Sequence, residues 1–205
     1  MSKAEKFWDK VSNGYNKPGQ ELKGLALKTM EATRPYLSSK HVVLDFGCGG
    51  GLFSREISKY VSTVTGVDFS EGMIAAAHAN ANGLCISNVD FVQGTIVNPI
   101  FDEESFDVIV AFNVLHFVND AKTLRHIYKL LKSGGLFLSA TACVKERVSL
   151  LRVAMTPVRW LGLIPPMQYF TLRELQSIIE KPGFSILHSQ KLSTLPDYFI
   201  AAQKQ

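Results

Sequence analysis

Residues 41–52, HVVLDFGCGGGL, constrain this chain more than any other stretch. Val42, Val43 and Leu44 form an unbroken apolar run, the mark of a strand buried on both faces. Asp45 closes it, and Gly47, Gly49, Gly50 and Gly51 follow before a helical pattern begins. Strand, glycine turn and helix start are the layout of a nucleotide-type cofactor site. Glycines let backbone approach a ligand closely, and a helix start offers unpaired N–H groups. The same pattern also makes a tight strand–helix turn with no ligand, so its meaning depends on what lies downstream.

Two familiar phosphate loops do not fit. The dinucleotide fingerprint needs glycines at its first, third and sixth positions. Counted from Gly47, the third is Gly49 but the sixth is Leu52. No Gly-Lys-Ser/Thr follows, so a Walker loop is excluded.

Residues 61–67, rich in β-branched side chains, read as a second strand ending at Asp68. Asp68 stands about 20 residues beyond Asp45, the distance at which an acid at the tip of strand two meets a cofactor ribose. A carboxylate suits that task because it accepts hydrogen bonds from both vicinal hydroxyls. The plainer alternative is a turn aspartate capping the next helix. Ser70 is placed to cap that helix, with Glu71 in its first turn and Met73, Ile74 and Ala77 facing inward. Residues 88–93 form strand three, followed by Gly94-Thr95-Ile96. Residues 106–112 form another nearly continuous apolar strand. Residues 113–117 lie at its carboxyl end, where open α/β sheets bind ligands.

Beyond it come a helix over 119–131, a turn over 132–135 and a strand over 136–142. A helix over 171–181 opens with the capping box Thr171/Glu174 and stops at Pro182-Gly183. Strands over 184–191 and 197–202 close the chain. Upstream, an amphipathic helix over 3–13 carries Phe7, Trp8 and Val11. A turn at Lys17-Pro18-Gly19 leads to a second helix over 20–37.

Composition narrows the class. The 205 residues carry a net charge of +4, with 20% charged and 46% hydrophobic residues. This describes one ordinary globular domain. The basic residues are spread out, which disfavours nucleic acid as a partner. Cys48, Cys85 and Cys143 have no paired or metal-ligand spacing, pointing to reduced thiols in the cytoplasm. Nothing calls for a metal. The first residues lack the apolar core of a signal peptide, and no apolar run reaches the roughly 18 residues of a membrane span.

Together, VVLDFGCGGGLFS, VTGVDFSEGMI, NVDFVQG with FDEESFDVIVAFNVLHFV, and LLKSGGLFLSA resemble the successive motifs of class I S-adenosylmethionine (SAM)-dependent methyltransferases. The opening FWDKVSNGYN looks like the N-terminal helix of their quinone- and small-molecule-methylating branch. The resemblance implies a doubly wound α/β Rossmann-like fold, a seven-stranded sheet in the order 3-2-1-4-5-7-6 with strand 7 antiparallel. It implies that Asp45, Gly47 and Gly49 surround the methionyl part of SAM and that Asp68 holds the ribose. Thr95 and Ile96 would flank adenine, with Phe69 and Met73 as apolar walls, and the Asn113 carbonyl would meet the ammonium. Thr95 stands where relatives place an acidic residue, so weaker SAM affinity is expected.

His116 is the candidate general base, since it follows strand four on the cofactor side and an imidazole titrates near neutrality; a packing histidine is the alternative. Tyr15 is a second catalytic candidate, closing over the cofactor, or else an aromatic staple between the first two helices. Cys48 has either a thiol activated by the helix start or a small buried side chain. His41, His78, His126 and His188 fall outside the cleft loops.

One domain spans 1–205, with a helical cap over 1–38 and a lid over 144–170. That lid is apolar and basic, with Arg147, Arg152 and Arg159, and Pro157 breaks it. It forms an acceptor pocket for an apolar or aromatic small molecule, or touches an anionic membrane through 146–168, or packs on the sheet edge. The Asn/Asp-Pro-Pro-aromatic motif of amino-base methylation is absent after strand four. The expected reaction converts SAM to S-adenosylhomocysteine. A non-catalytic SAM-binding protein with a partner-binding lid is the competing reading, and a nicotinamide oxidoreductase is disfavoured by Leu52.

Overall fold

The computed structural model describes residues 3–15, 19–97, 101–117, 121–143, 145 and 167–205. The expected turn at Lys17-Pro18 lies outside them. So does the body of the lid, with Arg147, Arg152, Pro157 and Arg159. In chain order the elements are α1 (Lys3–Val11), α2 (Leu25–Thr33), β1 (Val42–Phe46), α3 (Leu52–Ser58), β2 (Thr63–Asp68) and α4 (Glu71–Asn82). They continue with β3 (Val89–Gln93), β4 (Phe106–Phe112), α5 (Ala121–Leu130), β5 (Leu131–Ala142), α6 (Leu172–Glu180), β6 (Phe184–Lys191) and β7 (Asp197–Lys204).

The strands form a seven-stranded sheet in the order β3-β2-β1-β4-β5-β7-β6. β7 runs antiparallel to both β5 and β6, while the other neighbours are parallel. This is the order expected from the motifs. Successive strand residues point to opposite faces, and the apolar run of β1 feeds both. Leu44 joins Ile109, Ile127 and Leu175 on the face covered by α5 and α6. Val43 joins Val108, Ile57 and Met30 beneath α2 and α3.

The helix expected over 20–37 is shorter, running from Leu25 to Thr33 and ending in a 3-10 turn over Arg34–Tyr36. Pro35 lacks the N–H that another helical turn would need. The turn expected over 132–135 falls inside β5, where pairing with β4 slips: Phe106 faces Leu131, but Val108 faces Leu136. The extra residues are absorbed as an irregularity rather than as a break in the strand. Both predicted caps form. The Ser70 hydroxyl accepts from the Met73 N–H, and Thr171 and Glu174 exchange the two bonds of a capping box.

Candidate functional site

A cavity of about 620 Å³ opens at the carboxyl ends of β1, β2 and β4. Gly47, Gly49, Asp68, Phe69, Met73, Thr95, Ile96, Asn113, His116 and Tyr15 all line it. The sheet order therefore brings together residues spread over about a hundred positions.

Asp68 is fixed by backbone. Its Oδ2 accepts from the Gly49 N–H and its Oδ1 from the Ser70 N–H, both at 3.0 Å. A carboxylate has about four acceptor positions, so capacity remains for a ligand's hydroxyls. Burial raises its pKa, opposed by these hydrogen bonds, and nearby Asp9 raises it further. Asp9 had no place in the sequence reading. Its Oδ1 accepts from the Ser70 hydroxyl at 2.6 Å and from the Gly72 N–H at 3.2 Å. These bonds pin α1 to the start of α4.

Asp45 behaves differently. Its Oδ2 accepts from the Ser54 hydroxyl at 2.6 Å, and it is only 3% exposed. Burial pushes its pKa up to about 6, with the Ser54 bond lowering it and the Asp68 charge adding to the rise. Asp45, expected beside Gly47 and Gly49, is not among the residues that line the cavity. Through Ser54 its carboxylate ties β1 to α3.

Gly47 has φ +74°, and a Cβ there would lie 2.6 Å from the Val114 side chain. Both the backbone conformation and the close pass of the loop after β4 thus require glycine. The Gly47 and Cys48 N–H groups both donate to the Val67 carbonyl, locking the turn to β2. Cys48 is buried, and burial together with the Asp45 and Asp68 charges raises its pKa well above the ordinary thiol value. It is a packing residue and not an activated thiol.

Tyr15 lies over this turn, 44% exposed. A Cβ on Gly50 would stand 2.9 Å from the Tyr15 Cβ and 3.0 Å from its carbonyl oxygen, so a larger residue would lift the segment off. Asn80 completes the join. Its Nδ2 donates to the Tyr15 carbonyl at 2.9 Å and to the Gly50 carbonyl at 3.0 Å. Asn80 was missed in the sequence, although a polar residue on the stripe of Met73 and Ala77 was a readable signal.

The other side of the cavity is aromatic. Trp8 meets Phe117 edge-on at 5.3 Å, and Phe53 meets Phe112 at 4.8 Å. His116 meets Phe117 at 4.2 Å with the ring planes tilted by 55°, and is 7% exposed. Burial pushes its pKa down to about 4, so the ring is neutral at pH 7. Its Nδ1 is buried, with no partner among the described residues. A catalytic imidazole base needs its Nδ1–H held by an acceptor so that Nε2 is bare. No such acceptor is present among the described residues, and a proton on Nε2 avoids burying an unpaired donor. The geometry therefore suits His116 as a neutral hydrogen-bonding wall better than as a base. Asn113 takes the left-handed φ of +56°, and its N–H donates to the Ala140 carbonyl at 2.8 Å. Such strain in a non-glycine residue is typical of functional loops. Thr95 is exposed beside buried Ile96. His41, His78, His126 and His188 do not line the cavity.

Residues 44–139 match the family described as Methyltransferase domain. The chain is 36% identical over 121 residues to the uncharacterized methyltransferase YcgJ of Bacillus subtilis, covering 58% of this chain and 46% of that protein. It is 34% identical over 153 residues to the ubiquinone biosynthesis O-methyltransferase of Agrobacterium fabrum, covering 71% and 60%. The chain thus spans about half to three-fifths of the length of these curated relatives. The crystal structure of YcgJ superposes with a TM-score of 0.70 at 20% identity, over 88% of this chain and 97% of that one. The [4+2]-cyclase SpnF superposes with a TM-score of 0.76 at 16% identity, over 98% and 92%. These two likenesses are of fold alone. The domain match over residues 44–139 and the sheet order agree, and the chain is similar in fold to SAM-dependent methyltransferases.

Proposed function

We propose that this chain transfers a methyl group from SAM to a small apolar or aromatic acceptor inside the 620 Å³ cavity. The observation that carries the reading is the cavity's division. One part is a carboxylate held by backbone amides beside a glycine turn; the other is a wall of rings. The donor set fits the cofactor. Asp68 keeps free acceptor positions for the ribose hydroxyls. Phe69, Met73 and Ile96 make an apolar slot for adenine beside Thr95. Gly47, Gly49 and the Asn113 carbonyl face the methionyl part, with Asp45 bracing the turn from beneath. Bound there, SAM supplies an electrophilic methyl group on a sulfonium.

The protein's share of the chemistry is alignment. Holding donor and acceptor in line contributes about 7–11 kcal/mol in favourable cases. Trp8, Phe112 and Phe117 orient an apolar acceptor and exclude water. Tyr15 covers the glycine turn, and His116 offers a neutral hydrogen bond to the acceptor. Ubiquinone biosynthesis O-methyltransferases among the relatives support a small-molecule acceptor. Three cysteines with no paired spacing suit the reducing cytoplasm. The lid role proposed for 144–170 and the cap role for 1–38 belong to the same reading, with α1 and Tyr15 the described part of the cap.

Because a [4+2]-cyclase shares the fold, turnover is the decisive experiment. Radiolabelled SAM incubated with quinone precursors, phenols, amines and thiols should yield labelled product and S-adenosylhomocysteine. Tight SAM binding with no transfer to any acceptor class would favour the non-catalytic reading instead.

A further inference from the structure

Among the described residues, the cavity offers donors for an oxygen anion but no base to generate one. Its titratable lining is Tyr15, Cys48, Arg55, Asp68 and His116. Asp68 is held by the Gly49 and Ser70 amides at the cofactor end. Tyr15 lies over the glycine turn, against Gly49 and Gly50. Arg55, whose Nε donates to the Gly51 carbonyl at 3.3 Å, has no site to accept a proton. Burial and the Asp45 and Asp68 charges keep Cys48 a protonated thiol.

His116 remains, and its two nitrogens differ. Nδ1 is buried with no partner among the described residues, which places the ring proton on Nε2. Nε2 is not sealed in this way, and it makes no hydrogen bond among the described residues. Neutral at pH 7, the ring therefore presents Nε2–H as a donor. Thr123, in the first turn of α5, lines the same cavity. It is 8% exposed, and its hydroxyl has no partner among the described residues.

A donor withdrawn from water recovers its lost hydration from a ligand. Hydrogen bonds to an ionised oxygen are roughly twice as strong as those to a neutral one. Two such donors therefore favour an acceptor in its anionic form, each by about tenfold, or about one pH unit in the acceptor's ionisation. An ammonium or a plain alkyl group would leave both donors unpaired. An ordinary alcohol would keep its proton.

We propose that the acceptor is an acidic hydroxyl compound, a phenol or enol, and that His116 Nε2–H and the Thr123 hydroxyl receive it as its oxygen anion. The proposal rests on the methyl-transfer reading above and names the acceptor class for it. The hydroxyl gives its proton to water before the chemical step. The oxygen anion then bonds to the methyl carbon as the carbon–sulfur bond breaks. The electron pair of that bond stays on sulfur, so anion and sulfonium cancel and no side chain handles a proton.

The probe is 4-nitrophenol, whose anion is yellow and whose neutral form is not. Its ionisation is followed by absorbance on the S-adenosylhomocysteine-saturated full chain, as wild type, His116→Phe, His116→Gln and Thr123→Val. On wild type the bound probe should ionise about one to two pH units below the free probe. His116→Phe and Thr123→Val should each give back about half of that shift, and His116→Gln, which keeps an N–H, should hold most of it. Unchanged S-adenosylhomocysteine affinity shows that the variants are folded. Radiolabelled transfer from SAM to phenol, 4-hydroxybenzaldehyde and 4-nitrophenol gives the second readout. The pH midpoint of kcat/KM should move with the ionisation of each phenol. A midpoint common to all three marks a protein base and overturns the proposal. So does a bound probe that ionises no earlier than the free one, a shift that survives both His116→Phe and Thr123→Val, or failure of every phenol to bind. Transfer to amines or thiols with the phenols inert overturns the proposal and leaves the methyl-transfer reading standing. No transfer to any acceptor class overturns that reading as well.

Discussion

The two ends of the cavity are built by opposite rules. Around Asp68 the polar groups are paired, through the Gly49 and Ser70 amides and through Asp9 to α1. Around His116 the walls are rings, and the buried imidazole nitrogen has no partner among the described residues. The first arrangement fixes a ligand by direction, since hydrogen bonds weaken steeply with angle. The second fixes a ligand by shape, since apolar contact is not directional. One end is suited to a single unvarying group, the other to an acceptor chosen by size and apolarity.

The sharpest way to break this contrast is at the directional end. Asp68→Ala removes two charge-assisted bonds to a ribose diol, each worth about 1.5–3 kcal/mol. SAM affinity should fall about a hundredfold or more by titration calorimetry. A loss of under fivefold would mean that shape governs both ends.

Asp45 sharpens the contrast, because it braces the turn and does not line the cavity. Its pKa of about 6 in the folded protein lies above the ordinary 3.8. The folded state therefore holds the proton more tightly than the unfolded chain. Stability from this group is fullest below pH 3.8 and is lost as pH rises through about 6. Asp45→Asn should gain on wild type by up to about 3 kcal/mol between pH 4 and pH 7.5 in urea unfolding. A pH-independent difference would show that Asp45 is not titrating there.

Asp9→Ala should loosen α1 while leaving the sheet intact. Losing its bonds to Ser70 and Gly72 costs about 1–2 kcal/mol, read as a roughly tenfold weaker SAM affinity and faster amide exchange in α1. Unchanged exchange would show that the Trp8 and Tyr15 contacts hold the cap alone. Thr95→Asp should tighten SAM binding about threefold by giving the adenine amino group a charged acceptor; equal or weaker binding counts against that geometry. His116→Gln should change turnover less than threefold, and the wild-type imidazole should stay neutral down to about pH 4 by NMR titration. A larger loss with an inflection near pH 6.5 would restore it as a base.

Much of the directional end was legible in the sequence, because β1 and β2 are adjacent parallel strands. Asp45 lies one residue before the end of β1 and Asp68 ends β2, so their separation along the chain encodes a separation in space. The caps at Ser70 and Thr171 are local and read equally well. What escaped was tertiary. Nothing in KAEKFWDKV marks Asp9 as the partner of Ser70, 61 positions away. Arg55 in LFSREIS resembles a solvated helix position until Gly51 and residues 19–22 are folded against it. The two roles of Asp45 and Asp68 also could not be separated by spacing alone. Which carboxylate reaches the cavity depends on Ser54 claiming one of them. His116 lines the cavity, but its burial, and hence its weak basicity, depends on the packing of rings such as Phe117 and Trp8.

We propose that Asp68 and the glycine turn grip an adenosyl ligand. Calorimetric titration of wild type and Asp68→Ala with S-adenosylhomocysteine tests it most directly. One-to-one binding to wild type that falls about a hundredfold in the variant is the expected result. Absence of binding to wild type, or equal affinity in both proteins, would contradict it.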